Sequence, residues 1–163
     1  MEKDQRDLLR EFNAHNVRYL VVGGYAFSYY TQPRATKDLD VFIENSAENT
    51  ALVFAALAKF GAPVAGMSPK DFQDGGSVYQ VGVAPSRIDI LQTIEAVEFA
   101  EAWEAREAGT TGDGIPVRYI SFENLITNKL AVGRLRDLAD VEDLRESRAA
   151  ISKPIKSDTP SER

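Results

Sequence analysis

Between Lys3 and Asn16, Leu8, Leu9 and Phe12 recur at helical intervals among charged residues, and Asn13, His15 and Asn16 suit a helix C-terminus. The chain therefore opens with an amphipathic helix. Tyr19-Leu20-Val21-Val22 is a short apolar, β-branched run closed by Gly23-Gly24, and the segment from Tyr25 to Tyr30 suits a helix ending before Pro33. Leu39 to Ile43 predicts a second strand. Ser46 followed by Glu48 opens a helix through Ala58, stopped by Gly61 and Pro63, and Gly66 to Gly76 reads as an exposed, turn-rich stretch.

Val78 to Val83 and Ile88 to Leu91, separated by Ala84-Pro85-Ser86, predict a two-stranded hairpin. A helix is expected from about Glu95 to Glu107, a flexible loop over Gly109 to Gly114, and a short strand over Val117 to Ile120. Ser121 caps a helix through Val132, and a last helix runs from about Arg134 to Ala149. Ser152 to Arg163 is rich in Ser, Lys, Pro, Asp and Thr and reads as a disordered tail, leaving one domain over residues 1–151. Strands and helices alternate without a strict βαβ rhythm. The expected class is α+β, a mixed sheet of about four to five strands flanked by helices.

Composition narrows the chemistry. With 19 Lys+Arg against 25 Asp+Glu the net charge is -6, so a uniformly basic surface for duplex binding is excluded, although a local basic patch is not. There is no Cys and one His, which removes thiolate nucleophiles, Cys-ligated metal sites and a multi-His site within one chain. Any metal would be held mainly by oxygen, which favours magnesium, manganese or calcium. Met1 to Glu11 is densely charged and has no apolar signal core, and no apolar run approaches a bilayer span, so the expected location is the cytoplasm.

The informative stretch is Gly23-Gly24, then Asp38-Leu39-Asp40, then Asp89. Residues two apart in a strand share a face, so Asp38 and Asp40 present carboxylates side by side, about 6–7 Å apart along the chain. Leu39, Val41 and Ile43 point the other way. Asp89 repeats the arrangement between Ile88 and Ile90. Acids gathered on one face repel unless they are solvated or neutralised, and a hard divalent cation is the natural neutraliser. Two such ions about 3.5–4 Å apart suit phosphoryl and nucleotidyl transfer. Gly23-Gly24 adds a turn whose backbone N–H groups, with a following helix N-terminus, can approach phosphate oxygens closely.

Val21-Val22-Gly23-Gly24-Tyr25-Ala26, Arg34-Ala35-Thr36-Lys37-Asp38-Leu39-Asp40-Val41 and Arg87-Ile88-Asp89-Ile90-Leu91 together resemble the nucleotidyltransferase superfamily of polymerase-beta-like fold. The likeness is nearer to its minimal members, including abortive-infection-type nucleotidyltransferase toxins of bacterial toxin–antitoxin systems. Asn128 to Asp140 is similar to the helical motif those proteins carry. The resemblance spans about Val17 to Leu144, with Lys59 to Gly76 unsupported. It implies that Asp38 and Asp40 ligate Mg²⁺ or Mn²⁺ and that Asp89 is a third ligand or the base for the incoming hydroxyl. It also implies that Gly23 and Gly24 contact the triphosphate of an NTP and that Lys129 steadies it or the nucleotide. The acceptor it implies is RNA, protein or a small molecule, with a cognate protein partner in the toxin-like case. Many superfamily members have Gly-Ser at the turn, and Gly24 lacks that hydroxyl.

Each feature also has a plainer reading. Asp38 and Asp40 can be a solvated strand edge, and Gly23-Gly24 a simple tight turn. Glu44 lies about 20 residues beyond the glycines, where a dinucleotide site places its ribose-binding acid, but the G-x-G-x-x-G pattern is absent. Lys129 falls on the stripe of Phe122, Leu125 and Ile126, either snorkelling at its margin or pointing into an anionic site. Asp137 and Asp140 read as ion-pair partners of Arg134, Arg136 or Arg145. Arg34 and Thr36 are either phosphate contacts or solvated loop residues. His15 reads as a residue of the first helix's end. Phe99 and Trp103 belong to a packing helix, with base stacking by an aromatic left open. A second function class is a nucleotidyltransferase fold without catalysis, acting as an antitoxin or regulatory module.

Overall fold

The structure is a computed structural model that describes residues 1–36 and 38–152. Lys37 and the expected tail from Lys153 onward lie outside the described residues. Strands β1 (Tyr19–Val22), β2 (Leu39–Ile43), β3 (Val78–Val81), β4 (Ile88–Leu91), β5 (Glu107–Thr110) and β6 (Pro116–Tyr119) form one mixed sheet in the order β3-β4-β2-β1-β6-β5. β1–β2, β3–β4 and β5–β6 are antiparallel, whereas β2–β4 and β1–β6 are parallel. Helices α1 (Lys3–Ala14), α2 (Gly23–Tyr30), α3 (Ala47–Phe60), α4 (Phe99–Glu104), α5 (Phe122–Val132) and α6 (Leu135–Ser152) flank it.

The central strands are built from residues that bury completely. All four positions of β1 are buried, as are Leu39, Val41, Ile43, Ile88 and Ile90. Tyr19 buries its ring while its hydroxyl donates to Asn13 Oδ1 at 2.8 Å, so its polar end is satisfied. α1 packs with α3, and α2 lies against β1 and β2 and is met by α5 and α6. Helix ends follow local chemistry. Ser46 and Ser121 accept N–H bonds from Asn49 and Asn124, and Gly61 and Gly133 end α3 and α5 in the left-handed region.

Several expectations change. The sheet has six strands because Glu107–Thr110, expected as a helix end and loop, pairs with β6. The Ala-rich stretch favours helix locally, but the rings of Tyr29 and Tyr119 lie where a Gly109 side chain would stand, so glycine lets them close over this edge strand. The helix expected over Glu95 to Glu107 shrinks to α4, preceded by a tight bridge between Ile94 and Val97. Within the stretch expected to be exposed, Pro69–Phe72 forms a 3-10 turn that buries Phe72. Ser152 is the last residue of α6 rather than the first of a tail.

Candidate active site

The β1–α2 turn and the start of β2 are brought together by antiparallel pairing of Val22 with Asp40. Gly23 has φ +64, and a Cβ there would fall on the Asp40 carboxylate. Only glycine permits both the left-handed backbone and this close approach. At Gly24 a Cβ would stand 2.5 Å from Thr36 Oγ1, so the hydroxyl beside this turn is that of Thr36. Gly23→Ala is expected to cost about 1–3 kcal/mol from backbone strain alone and to displace Asp40. Gly61→Ala, at φ +97 with open space around it, carries the strain without the carboxylate. Denaturant unfolding beside a divalent-ion titration separates the two: both variants are expected to lose stability, and only the first would also lose ion binding at Asp40.

Parallel pairing of β2 with β4 sets Asp40 directly beside Asp89, one interstrand spacing of about 4.8 Å away. Asp38 lies just before β2. Arg87 Nη2 bridges Asp38 Oδ2 at 3.1 Å and Asp89 Oδ2 at 3.2 Å. Asp89 is 8% exposed, and its Oδ1 is buried without a hydrogen-bond partner among the described residues. Burial, then the neighbouring Asp89 and Asp38 carboxylates, push Asp40 up to about 7.

Because this carboxyl binds its proton more tightly in the folded protein, the metal-free fold loses stability as pH rises from the ordinary carboxylate value of 3.8 towards about 7. A divalent ion held by Asp40 would have to displace this proton, so such binding would weaken as pH falls below about 7. Calorimetry at about pH 6.5 in buffers of different ionisation enthalpy is expected to register proton release on ion binding; heats independent of buffer would contradict it.

On the opposite side of the turn, Lys129 on α5 is 6% exposed. Its Nζ donates to Asp140 Oδ2 at 2.7 Å and lies 3.7 Å from Asp137 Oδ1. Arg34 clasps Asp140 with bonds of 2.8 and 3.2 Å and covers the Phe27 ring at 3.9 Å. Burial alone would raise the Asp140 carboxyl, but Arg34 and Lys129 outweigh it and hold it below the usual range. Asp137 pairs with Arg134, one of its expected partners, at 2.7 Å. Asp140 pairs with neither Arg136 nor Arg145, because α6 docks with this face toward the Arg34 loop and α5.

These groups line two adjoining lobes of about 510 and 550 Å³ that share Asp38, Asp40, Gly23 and Lys129. Gly24, Arg34 and Thr36 line the second lobe alone, whereas Asp89, Leu91, Ile94 and Asn128 line the first. All eight residues singled out by sequence therefore meet at one cavity. Glu44 is elsewhere, accepting from Arg18 at 3.2 Å and from Ser46 at 2.7 Å. Arg87 is a further cation of the site, and its place two residues before Asp89 is the sequence signal that puts it on the carboxylate face. Arg136, expected only as an ion-pair partner on its own helix, lines both lobes and forms no ion pair among the described residues.

The donors suit a hard divalent ion: carboxylate oxygens from two paired strands, one of them a buried acceptor without a partner among the described residues. Among the described residues no group of three or more acidic or imidazole side chains is closed around a single point. Arg87 instead stands between two of the carboxylates.

The fold is shared with solved nucleotidyltransferases. The lincosamide antibiotic adenylyltransferase LnuA, solved with lincomycin, aligns at TM-score 0.58 and 18% identity over 90% of this chain and 98% of its own. ANT(2")-Ia in complex with adenylyl-2"-tobramycin aligns at 0.53 and 19% over 88% and 92%. A nucleotidyltransferase fold from Thermotoga maritima aligns at 0.55 and 15% over 89% and 90%. No curated protein matches the chain. Residues 3–150 match the family described as nucleotidyltransferase of unknown function (DUF6036), and the chain belongs to that family.

Proposed function

We propose that this protein moves a nucleoside monophosphate from an NTP to an acceptor hydroxyl or phosphate, releasing pyrophosphate. The observation that carries this reading is the pairing of Asp40 with Asp89 across parallel strands, beside Asp38 and against the Gly23-Gly24 turn. Asp38, Asp40 and Asp89 would hold Mg²⁺ or Mn²⁺. When bound, such ions neutralise polyphosphate charge and lower the pKa of the attacking hydroxyl.

The remaining work falls to the chain's own groups. Gly23 and Gly24 offer backbone N–H groups at the start of α2 to phosphate oxygens, with the Thr36 hydroxyl alongside. Arg34 and Lys129, both fastened to Asp140, steady the anionic substrate, and Arg136, without an ion pair among the described residues, adds positive charge to the same lobe. Asp89, whose Oδ1 has no hydrogen-bond partner among the described residues, would accept the proton of the entering hydroxyl. In-line displacement needs acceptor and leaving group on opposite sides of the α-phosphorus. The lobe with Gly24, Arg34 and Thr36 suits the triphosphate, and the lobe with Leu91, Ile94 and Asn128 suits the acceptor.

For the acceptor we favour a small hydroxylated molecule. An acceptor lobe of about 510 Å³ is of drug-sized capacity, and the antibiotic adenylyltransferases that share this fold align over 92% and 98% of their own chains. A cytoplasmic toxin acting on RNA or protein, held by a cognate partner, uses the same chemistry on another acceptor. NTPs labelled at the α-phosphate, offered with Mg²⁺ or Mn²⁺ to separate pools of hydroxylated small molecules, RNA and protein, decide between them. Label is expected in the small-molecule pool with matching pyrophosphate release. Label in RNA or protein alone reverses the acceptor choice. NTP binding without pyrophosphate release from any pool leaves the non-catalytic module.

A further inference from the structure

Two arginines of this cavity are held in different ways. Arg34 meets Asp140 through two bonds, and Lys129 completes the same buried carboxylate at 2.7 Å. Arg87 reaches Asp38 and Asp89 through a single nitrogen, Nη2. Among the described residues its Nε is buried with no hydrogen-bond partner, and so is Asp89 Oδ1. A contact that leaves a donor and an acceptor unmet is less tightly committed than a saturated pair. The stem of Arg87 is nonetheless anchored, because its carbonyl accepts from Leu39 N at 3.0 Å and from Gln5 Nε2 at 3.2 Å. Its side chain is 39% exposed, which leaves the guanidinium a way out towards solvent.

We propose that Arg87 is a tethered counter-cation: its guanidinium draws Asp38 and Asp89 together in the metal-free protein and is displaced when divalent ions bind. It acts through those carboxylates and is a positioning residue, which sets how readily the site takes its ions. The inference rests on the metal-binding reading of the three aspartates. Without Arg87 the carboxylates repel one another unopposed, so the metal-free protein is less stable and binds a divalent ion more tightly.

The test is calorimetric titration of Mn²⁺ into the full chain, as wild type, Arg87→Gln and Arg87→Lys, each checked for folding by circular dichroism. Arg87→Gln is expected to bind Mn²⁺ about tenfold more tightly, the scale of one charge-assisted hydrogen bond, and Arg87→Lys to return towards wild type. Metal-free Arg87→Gln is expected to melt lower, with the gap closing at saturating Mn²⁺. Equal or weaker binding by folded Arg87→Gln, with wild-type binding intact, overturns the role of Arg87 alone. No Mn²⁺ binding by folded wild type overturns the metal reading and this inference with it. Should Arg87→Gln fail to fold, ¹⁵N-labelled wild type titrated with Mg²⁺ decides. An Arg87 Nε–Hε resonance that moves as the site saturates supports displacement, and one that stays fixed at saturation overturns it.

Discussion

Asp40→Asn is expected to lower nucleotidyl transfer by on the order of 10³-fold or more while leaving the fold intact. The substitution keeps the shape of a side chain that faces Asp89 in register and removes the charge that would ligate the ions, which contribute several kcal/mol to transition-state stabilisation. Stability distinguishes this outcome from structural damage. Ionised Asp40 is disfavoured by burial and by Asp89 and Asp38, so an amide relieves repulsion in the metal-free protein above about pH 7. The variant should therefore melt at or above the wild-type temperature at about pH 8 without metal, and lack the stabilisation that bound Mg²⁺ or Mn²⁺ would give the wild type. Pyrophosphate release and thermal unfolding on the same samples check both halves. Wild-type turnover, or a lower melting temperature, would set the assignment of Asp40 aside.

Asp140→Ala is expected to be the most destabilising single change around the cavity, at about 3–5 kcal/mol. The side chain it removes is 4% exposed, and its carboxylate answers both Lys129 and Arg34. Arg34 can recover part of its hydration, since its side chain is 37% exposed, whereas Lys129 is left as a buried ammonium with the Asp137 contact at 3.7 Å. The loss therefore belongs near the lower end, about 3 kcal/mol, or a melting temperature about 6–12 °C lower for a chain of this size. Lys129→Met combined with Asp140→Leu removes both charges and is expected to regain most of that stability without regaining nucleotide binding. Full NTP affinity in the restored double variant would make the pair a structural strut only.

Much of the local structure was legible because its causes are local. β1 and β2 are short β-branched runs bounded by Gly23-Gly24 and by Glu44, and α3 and α5 carry a serine at one end and a left-handed glycine at the other. The carboxylate face was legible for the same reason: a period of two places Asp38 with Asp40 and lifts Asp89 clear of Ile88 and Ile90. β5 was not. Its alanine and glycine carry little strand preference, and it exists because β6 offers an edge and two tyrosine rings close over Gly109.

Sequence alone therefore established the acidic strand residues, the glycine turn and, through their combination, the nucleotidyltransferase family to which residues 3–150 belong. Spacing along a chain reports which way a side chain points within its own element. Which side chains meet is set by strand order and helix docking, since contact energies act between residues far apart in the chain. Only the folded chain placed Asp89 against Asp40 through the parallel β2–β4 pairing, and set the Arg87 guanidinium between Asp38 and Asp89. It likewise brought Arg34 to Asp140, 106 positions away, and turned Lys129 from a misplaced charge on an apolar stripe into the buried partner of that carboxylate.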